Sequence, residues 1–218
     1  MEKNRYQVVG CRPYYWFVIR EYPDGTVFGQ FTYIKEGSMF RDFLLFFDEN
    51  NINECSNDLY NDFIMQLGGK SFGNGLFNSF SKDNIGKWTE IVSEAYPEFR
   101  NMFKLFGYDW LGRCFGIDLR KDTYGNVLMF EIGTNDILEI PCTFDKFLNE
   151  EIPLYAEACL AKTFFDEWMK TFGKAIVYGR CIGYKIPLFL GGEDSVDNLE
   201  DNDMEVYWGV ITQIKNTI

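Results

Sequence analysis

The sequence predicts an α+β fold: an antiparallel β-meander flanked by helices, with an N-terminal β-hairpin and helix lobe. Three observations predict it. Aromatic and β-branched runs between 108 and 141 are separated by Gly-, Asn- and Asp-bearing turns, as in a meander. Apolar residues recur at helical spacing on both sides of that region. Of the 218 residues, 46% are hydrophobic and 18% aromatic, enough to bury a sizeable core.

The elements follow in chain order. Tyr14 to Ile34 reads as a hairpin, turned at Pro23-Asp24-Gly25, where Pro presets φ and Gly permits a positive one. Both of its faces carry large apolar groups, which predicts cover on both. Ser38 is a cap for a helix to Phe47, with Asp42 in its first turn and Asp48-Glu49-Asn50-Asn51 ending it. Asp58 to Leu67 reads as a second helix, stopped by Gly68-Gly69. Gly68 to Asn84 reads as a packed loop, because Phe72, Leu76, Phe77 and Phe80 interrupt its small polar residues.

Trp88 to Tyr96 is helical in pattern, with Pro97 interrupting it. Tyr108 to Leu119 and Val127 to Ile132 read as strands around a turn at 121–126, and Ile137 to Pro141 follows the turn Gly133-Thr134-Asn135-Asp136. Thr143 caps a helix to Glu150, and Pro153 to Phe172 reads as one long helix ended by Gly173. Tyr155, Cys159, Phe164, Phe165 and Trp168 are its expected core residues. Ile182 to Leu190 reads as an edge or irregular strand because of Pro187, and Glu200 to Ile214 as a final helix. This divides the chain into a hairpin–helix lobe at 1–66 and an α+β domain at 67–218, or leaves it one continuous unit.

Charge and composition restrict function. The net charge is −12, which opposes nucleic acid and anionic membranes and favours a basic partner. The alternative is that the acidity only keeps an aromatic-rich protein soluble. There is no histidine, so Ser-His-Asp, Cys-His and H-E-x-x-H chemistry is excluded within the chain. The six cysteines include no C-x-x-C pair, and no signal-peptide profile or membrane-spanning run is present, which predicts free thiols in a reducing cytoplasm.

Four motifs carry competing readings. Gly69-Lys70-Ser71 ends like a P-loop, but Ile64 stands where that motif needs its first Gly, and the segment follows a helix. Gly191-Gly192-Glu193-Asp194 is similar to a diguanylate cyclase signature, yet Ser195 replaces the aromatic residue, so it reads as a tight turn. Glu193 to Glu205 holds seven carboxylates and no Lys or Arg. A solvated face, a cation site and a receptor for a basic protein compete to explain it. Tyr108-Asp109-Trp110-Leu111-Gly112-Arg113 combines residue types that dominate interface energetics, and equally suits a core strand with a structural Asp–Arg pair. Beside it, Cys114 reads as a buried thiol.

Several stretches together resemble a bacterial family of type VI secretion immunity proteins, whose C-terminal domain often follows a small GAD-related domain. They are Phe72-Gly73-Asn74-Gly75-Leu76-Phe77, Lys87-Trp88, Tyr96-Pro97-Glu98, Phe106 to Arg113, Met129-Phe130-Glu131, Leu138-Glu139-Ile140-Pro141, Gly183 to Gly192 and Asp203 to Trp208. The resemblance covers roughly Leu67 to Ile214. The Gly133 to Asp136 turn and Leu76-Phe77-Asn78 depart from the family's pattern.

The resemblance implies a non-catalytic cytoplasmic protein, without cofactor or metal, that binds a delivered toxin and blocks it. The expected partner is a basic protein, a toxin domain, and neither nucleic acid nor membrane. Candidate contact residues are Tyr108, Trp110, Arg113, Glu193, Asp194, Asp197, Glu200 and Asp201. A general scaffold domain is the alternative. An enzyme using Asp109 with Asp118, or Glu131 with Glu139, is the remaining one.

Overall fold

A computed structural model describes residues 5–12, 15–21, 27–33, 40–49 and 58–217, the first three stretches as backbone only. These three form an antiparallel sheet, β1 (Arg5–Arg12), β2 (Tyr15–Glu21) and β3 (Val27–Tyr33), in that order. The hairpin expected from sequence is β2 and β3; β1 was not expected. The turn Pro23-Asp24-Gly25, the cap Ser38, Asn50-Asn51 and the hairpin's side chains lie outside the description.

The main sheet has six antiparallel strands in chain order: β4 (Ser71–Phe72), β5 (Phe77–Ser79), β6 (Phe103–Asp109), β7 (Cys114–Asp118), β8 (Asn126–Glu131) and β9 (Asp136–Thr143). The meander is thus present and extends further toward the N-terminus than expected. Gly68 to Asn84, read as a loop, contributes two of its strands.

Both sheet faces are covered. Along β8, Val127 and Met129 enter one core while Leu128 and Phe130 enter the other. This is the period-2 alternation of a strand buried on two sides. The first core receives α1 (Arg41–Phe47), α2 (Leu59–Leu67), α4 (Phe144–Lys146), α5 (Ile152–Leu160) and α6 (Lys162–Phe172). Phe43 of α1 lies against Phe72 and Phe77 at 4.9 and 5.8 Å between ring centroids, edge-on, the geometry the ring quadrupoles favour. The second core receives α3 (Ile85–Ala95), β10 (Arg180–Tyr184) and α7 (Met204–Lys215), around Trp88, Tyr96 and Trp208. An antiparallel partner, β11 (Leu199–Asp203), pairs with β10.

Three readings are corrected. Tyr108 to Leu119 is not one strand: the chain reverses over Trp110–Arg113 between β6 and β7. Pro153 to Phe172 is not one helix, since Ala161 is left-handed at φ 49° and separates α5 from α6. The carbonyls that a continuous helix would use there are taken elsewhere: Trp110 Nε1 donates to Leu160 O at 2.9 Å, and Arg113 Nη2 to Cys159 O at 3.3 Å. Thr163 N is capped instead by the Glu157 carboxylate at 2.7 Å. Tyr155, an expected core residue, is 56% exposed. Finally, Glu200 to Asp203 belongs to a strand; the last helix begins at Met204, capped by Asp203, whose carboxylate accepts from Val206 N at 3.0 Å.

The β7–β8 turn is organised by Asp118. Its buried carboxylate accepts from Arg120 N at 2.8 Å, from the Arg120 guanidinium at 2.6 Å and from the Thr123 hydroxyl at 2.5 Å. Burial by itself would raise this pKa, but the bonds from Arg120 and Thr123 outweigh it and hold the carboxyl below its ordinary value. As pH drops, the unfolded chain therefore takes up this proton first. The stabilisation is complete above about pH 4 and is lost as pH falls through the native pKa. Asp118→Asn is expected to lower the thermal midpoint at neutral pH and to converge on the wild type in acid, checked by melting curves from about pH 7 down to about pH 3.

Candidate partner-binding surface

The acidic run divides sharply once its surroundings are in place. Asp201 sits on β11 between Arg180 at 2.6 Å and Lys174 at 3.2 Å. Burial pushes its carboxyl up, but these two cations prevail and its pKa is lowered. Asp203 caps α7, and Glu205 binds Lys87 of α3 at 2.6 Å. Asp194 accepts the Tyr184 hydroxyl at 2.7 Å; burial first, and that carboxylate second, raise the tyrosine's pKa. Glu193, Asp197 and Glu200 are exposed and have no ion pair or side-chain hydrogen bond among the described residues.

The segment 185–198, which joins β10 to β11, holds three of these acids, Glu193, Asp194 and Asp197, in one fixed shape. Asn198 is its hub: Oδ1 accepts from Ile186 N at 3.0 Å, while Nδ2 donates to Ile186 O and Glu193 O, both at 2.8 Å. Pro187 O accepts from Leu190 N at 2.9 Å and Gly192 N at 3.1 Å. A Cβ at Gly192 would overlap the Ile186 carbonyl oxygen, so only glycine fits that approach. Leu188 N bonds Gly133 O at 2.9 Å, anchoring the loop to the β8–β9 turn, and Lys185 Nζ donates to Asp197 O at 2.7 Å.

This loop exposes Ile186 at 55% and Leu190 at 44% beside Glu193, Asp194 and Asp197. Two aliphatic groups with an acidic rim reproduce the apolar-centre, polar-rim anatomy of a protein interface. Because the backbone is already bonded in place, a partner meets little ordering cost there. Asn198→Ala removes three hydrogen bonds and is expected to cost about 1–2 kcal/mol, with faster amide exchange at Ile186 as the local readout.

The other three candidates are inside the protein. Tyr108 and Trp110 are 1% and 0% exposed, and Arg113 is 7% exposed, so they do not offer side chains to a partner; this corrects their assignment as contact residues. They build the turn on which the C-terminal half docks. Asp109 Oδ1 accepts from Leu111 N at 3.1 Å and Arg113 N at 3.0 Å, and Oδ2 takes Arg113 Nε at 2.6 Å and Nη2 at 2.5 Å. Burial raises the Asp109 pKa, with Arg113 and the two amides pulling the other way. Gly112 completes the turn at φ +78°, and its carbonyl accepts from Trp208 Nε1 at 2.9 Å. Trp110 O receives Ile182 N of β10 at 2.7 Å.

Ile186 and Leu190 were missed from the sequence because the alternation of 182–190 reads as an edge strand. The only local warnings were Pro187 and the Gly191-Gly192 pair. The acids considered for catalysis occupy separate places. Asp109 is held by Arg113, Asp118 by Arg120, and Glu139 by Arg120 at 3.4 Å and Asn126 at 2.9 Å. Glu131 is raised in pKa by burial first, against Arg113. Among the described residues no group of three or more His, Cys, Asp or Glu is placed to hold a metal ion. Cys114, Cys142, Cys159 and Cys181 are free and buried. No described helix is long and apolar enough to cross a membrane.

Comparisons with known proteins bear on this surface. Residues 143–215 match a family described as T6SS immunity protein Tdi1, C-terminal. The matched stretch runs from the cap of α4 to the end of α7 and contains the whole acidic loop. It bears out the resemblance to type VI secretion immunity proteins over those residues; the GAD-related expectation for the N-terminal region falls outside them. A solved structure described as the crystal structure of Atu4351 from Agrobacterium tumefaciens is similar at a TM-score of 0.51 and 18% identity, over 84% of this chain and 82% of that chain. That likeness shows a shared fold. No curated protein matches the chain.

Proposed function

From the match of residues 143–215 to a type VI secretion immunity family, we propose that this chain is an immunity protein that binds a toxin domain in the cytoplasm and blocks it without catalysing a reaction. The observation that carries the reading is the preformed acidic loop lying inside the matched residues. It supplies free carboxylates at Glu193 and Asp197 and exposed aliphatic groups at Ile186 and Leu190, and Glu200 adds a third free carboxylate on the adjoining β11. Together with a net charge of −12, this favours a basic partner through long-range attraction and complementary docking. A toxin cleft that holds a phosphate backbone is basic, and an acidic loop seated there competes with nucleic acid for the same charges.

Co-expression tests the proposal directly. A candidate toxin domain, sought among the genes neighbouring this one, should arrest growth alone and be tolerated when the chain is present. The two proteins should co-elute in size-exclusion chromatography at low salt. Growth arrest despite full expression of the chain, with no co-elution, removes the reading.

A further inference from the structure

The main sheet ends differently on its two sides. The β4 edge is two residues long, and shortness alone blunts pairing there. The β9 edge is eight residues long, and no described strand pairs with its outer side. Over 136–140, the backbone's one described bond outside the ladder to β8 is from the Tyr96 hydroxyl to Asp136 O, at 3.4 Å. An antiparallel edge strand turns the N–H and C=O of alternate residues outward, so β9 presents a row of open donors and acceptors.

Protection of this edge is confined to its far end. Pro141 lacks an N–H, and the register with β8 shifts beyond Ile140. The stretch 136–140 keeps an unbroken register and contains no Lys, Arg, Pro or Gly. Its apolar residues are incompletely covered. On β8, Val127, Leu128, Met129 and Phe130 are all buried, whereas on β9 Leu138 is 47% exposed and Ile137 and Ile140 are half-buried. Ile140 packs on the first core and Ile137 on the second, with Leu138 on the Ile140 side by alternation. One further strand would therefore extend the cover on both faces at once.

Charge decides the occupant. Gly133 O accepts from Leu188 N at 2.9 Å and Gly133 packs on the Tyr184 ring, so the acidic loop adjoins the turn that begins β9. Asp136 is exposed at that end of the strand, and its carboxylate has no ion pair or hydrogen bond among the described residues. A second copy of the chain, also at −12, is repelled from such an edge, whereas a strand bearing Lys or Arg is drawn to it. We infer that β9 receives an extended segment of the basic protein partner as one more antiparallel or parallel strand, with apolar side chains beside Ile137, Leu138 and Ile140 and basic ones toward Asp136 and the acidic loop. This assignment rests on the immunity reading for the identity of the partner, and adds main-chain pairing to the contacts of the loop.

The test uses the full chain, isotope-labelled, with a capped synthetic peptide of alternating Val and Lys as the probe and amide exchange followed by NMR. Saturable protection is expected at alternate amides of 136–140. The same peptide with every backbone nitrogen methylated keeps its charge, loses its donors and should protect none of them. Leu138→Lys, at an exposed position, should weaken binding of the probe about tenfold, because like charges then meet on the edge. Leu138→Thr, uncharged and suited to a strand, should retain it. No protection in the wild type, equal protection by the methylated peptide, or an unchanged response in Leu138→Lys overturns the assignment. So does protection of the same amides without peptide that grows with protein concentration, which gives the edge to a second copy. Pairing with the probe by a chain that gives no defence against the toxin removes the immunity reading alone. Defence against the toxin without protection of these amides removes the edge assignment alone.

Discussion

Asp109→Ala is expected to destabilise the protein by about 3–5 kcal/mol, the cost of leaving a buried charge without its partner. For a chain of this length that is a fall of roughly 10 °C in thermal midpoint. Two losses add at one place. Arg113, 7% exposed, keeps its charge without a counter-ion, and the amides of Leu111 and Arg113 lose their shared acceptor. The turn they shape also donates to Leu76 O and Leu160 O and accepts from Ile182 N and Trp208 Nε1, so the damage spreads to α5, β10, α7 and the residue before β5. The pair Asp109→Asn and Arg113→Met separates the terms. Asparagine Oδ1 still accepts both amides and no charge remains buried, so the double variant should recover most of the stability that either single change removes. Urea midpoints of the wild type, Asp109→Ala, Asp109→Asn, Arg113→Met and the double variant check this. A double variant no more stable than Asp109→Ala would show that the ion pair itself, not the unpaired charge, carries the energy.

The second large effect is on association. Changing Glu193, Asp197 and Glu200 together to Lys is expected to slow binding of a basic toxin domain by about 10-fold to 1,000-fold. Stability should stay within about 0.5 kcal/mol, because none of the three has a side-chain partner among the described residues. Asp194, Asp201, Asp203 and Glu205 are left unchanged since each holds a neighbour in place. Stopped-flow association against salt is the measurement. The wild-type rate should drop steeply with ionic strength and the triple variant's should not. A wild-type rate insensitive to salt would place recognition in apolar contacts such as Ile186 and Leu190 instead.

The two effects trace to a single division within the carboxylates. Those that stabilise the fold bond a neighbour or cap an element, and those without a partner, Glu193, Asp197 and Glu200, are the ones the proposed encounter would use. Charge count alone does not separate them, because both kinds sit in the same short stretches of chain.

Much of the architecture was legible from local pattern. The alternating run 127–132, the turn 133–136 and the 88–96 periodicity each encode their element within a few residues. The reversal at Trp110–Arg113 was not legible. It carries no Pro and only one Gly, and what holds it is a carboxylate whose bonds exist only once the chain has folded over it. The break at Ala161 was hidden for the same reason. Alanine is the best helix former, and the left-handed residue there is imposed by Trp110 and Arg113 claiming the carbonyls of α5. Strand β11, rich in Asp, Glu and Asn, has poor intrinsic strand preference and forms by pairing with β10.

By itself the sequence determined the α+β class, the meander, the surplus of negative charge and the exclusion of imidazole chemistry. These are properties of composition and of spacing between near neighbours. Only the tertiary structure decided that Tyr108, Trp110 and Arg113 lie inside, that Ile186 and Leu190 lie outside, and which acids remain free. Burial and pairing are set by groups tens of residues away in the chain, and no local period records them.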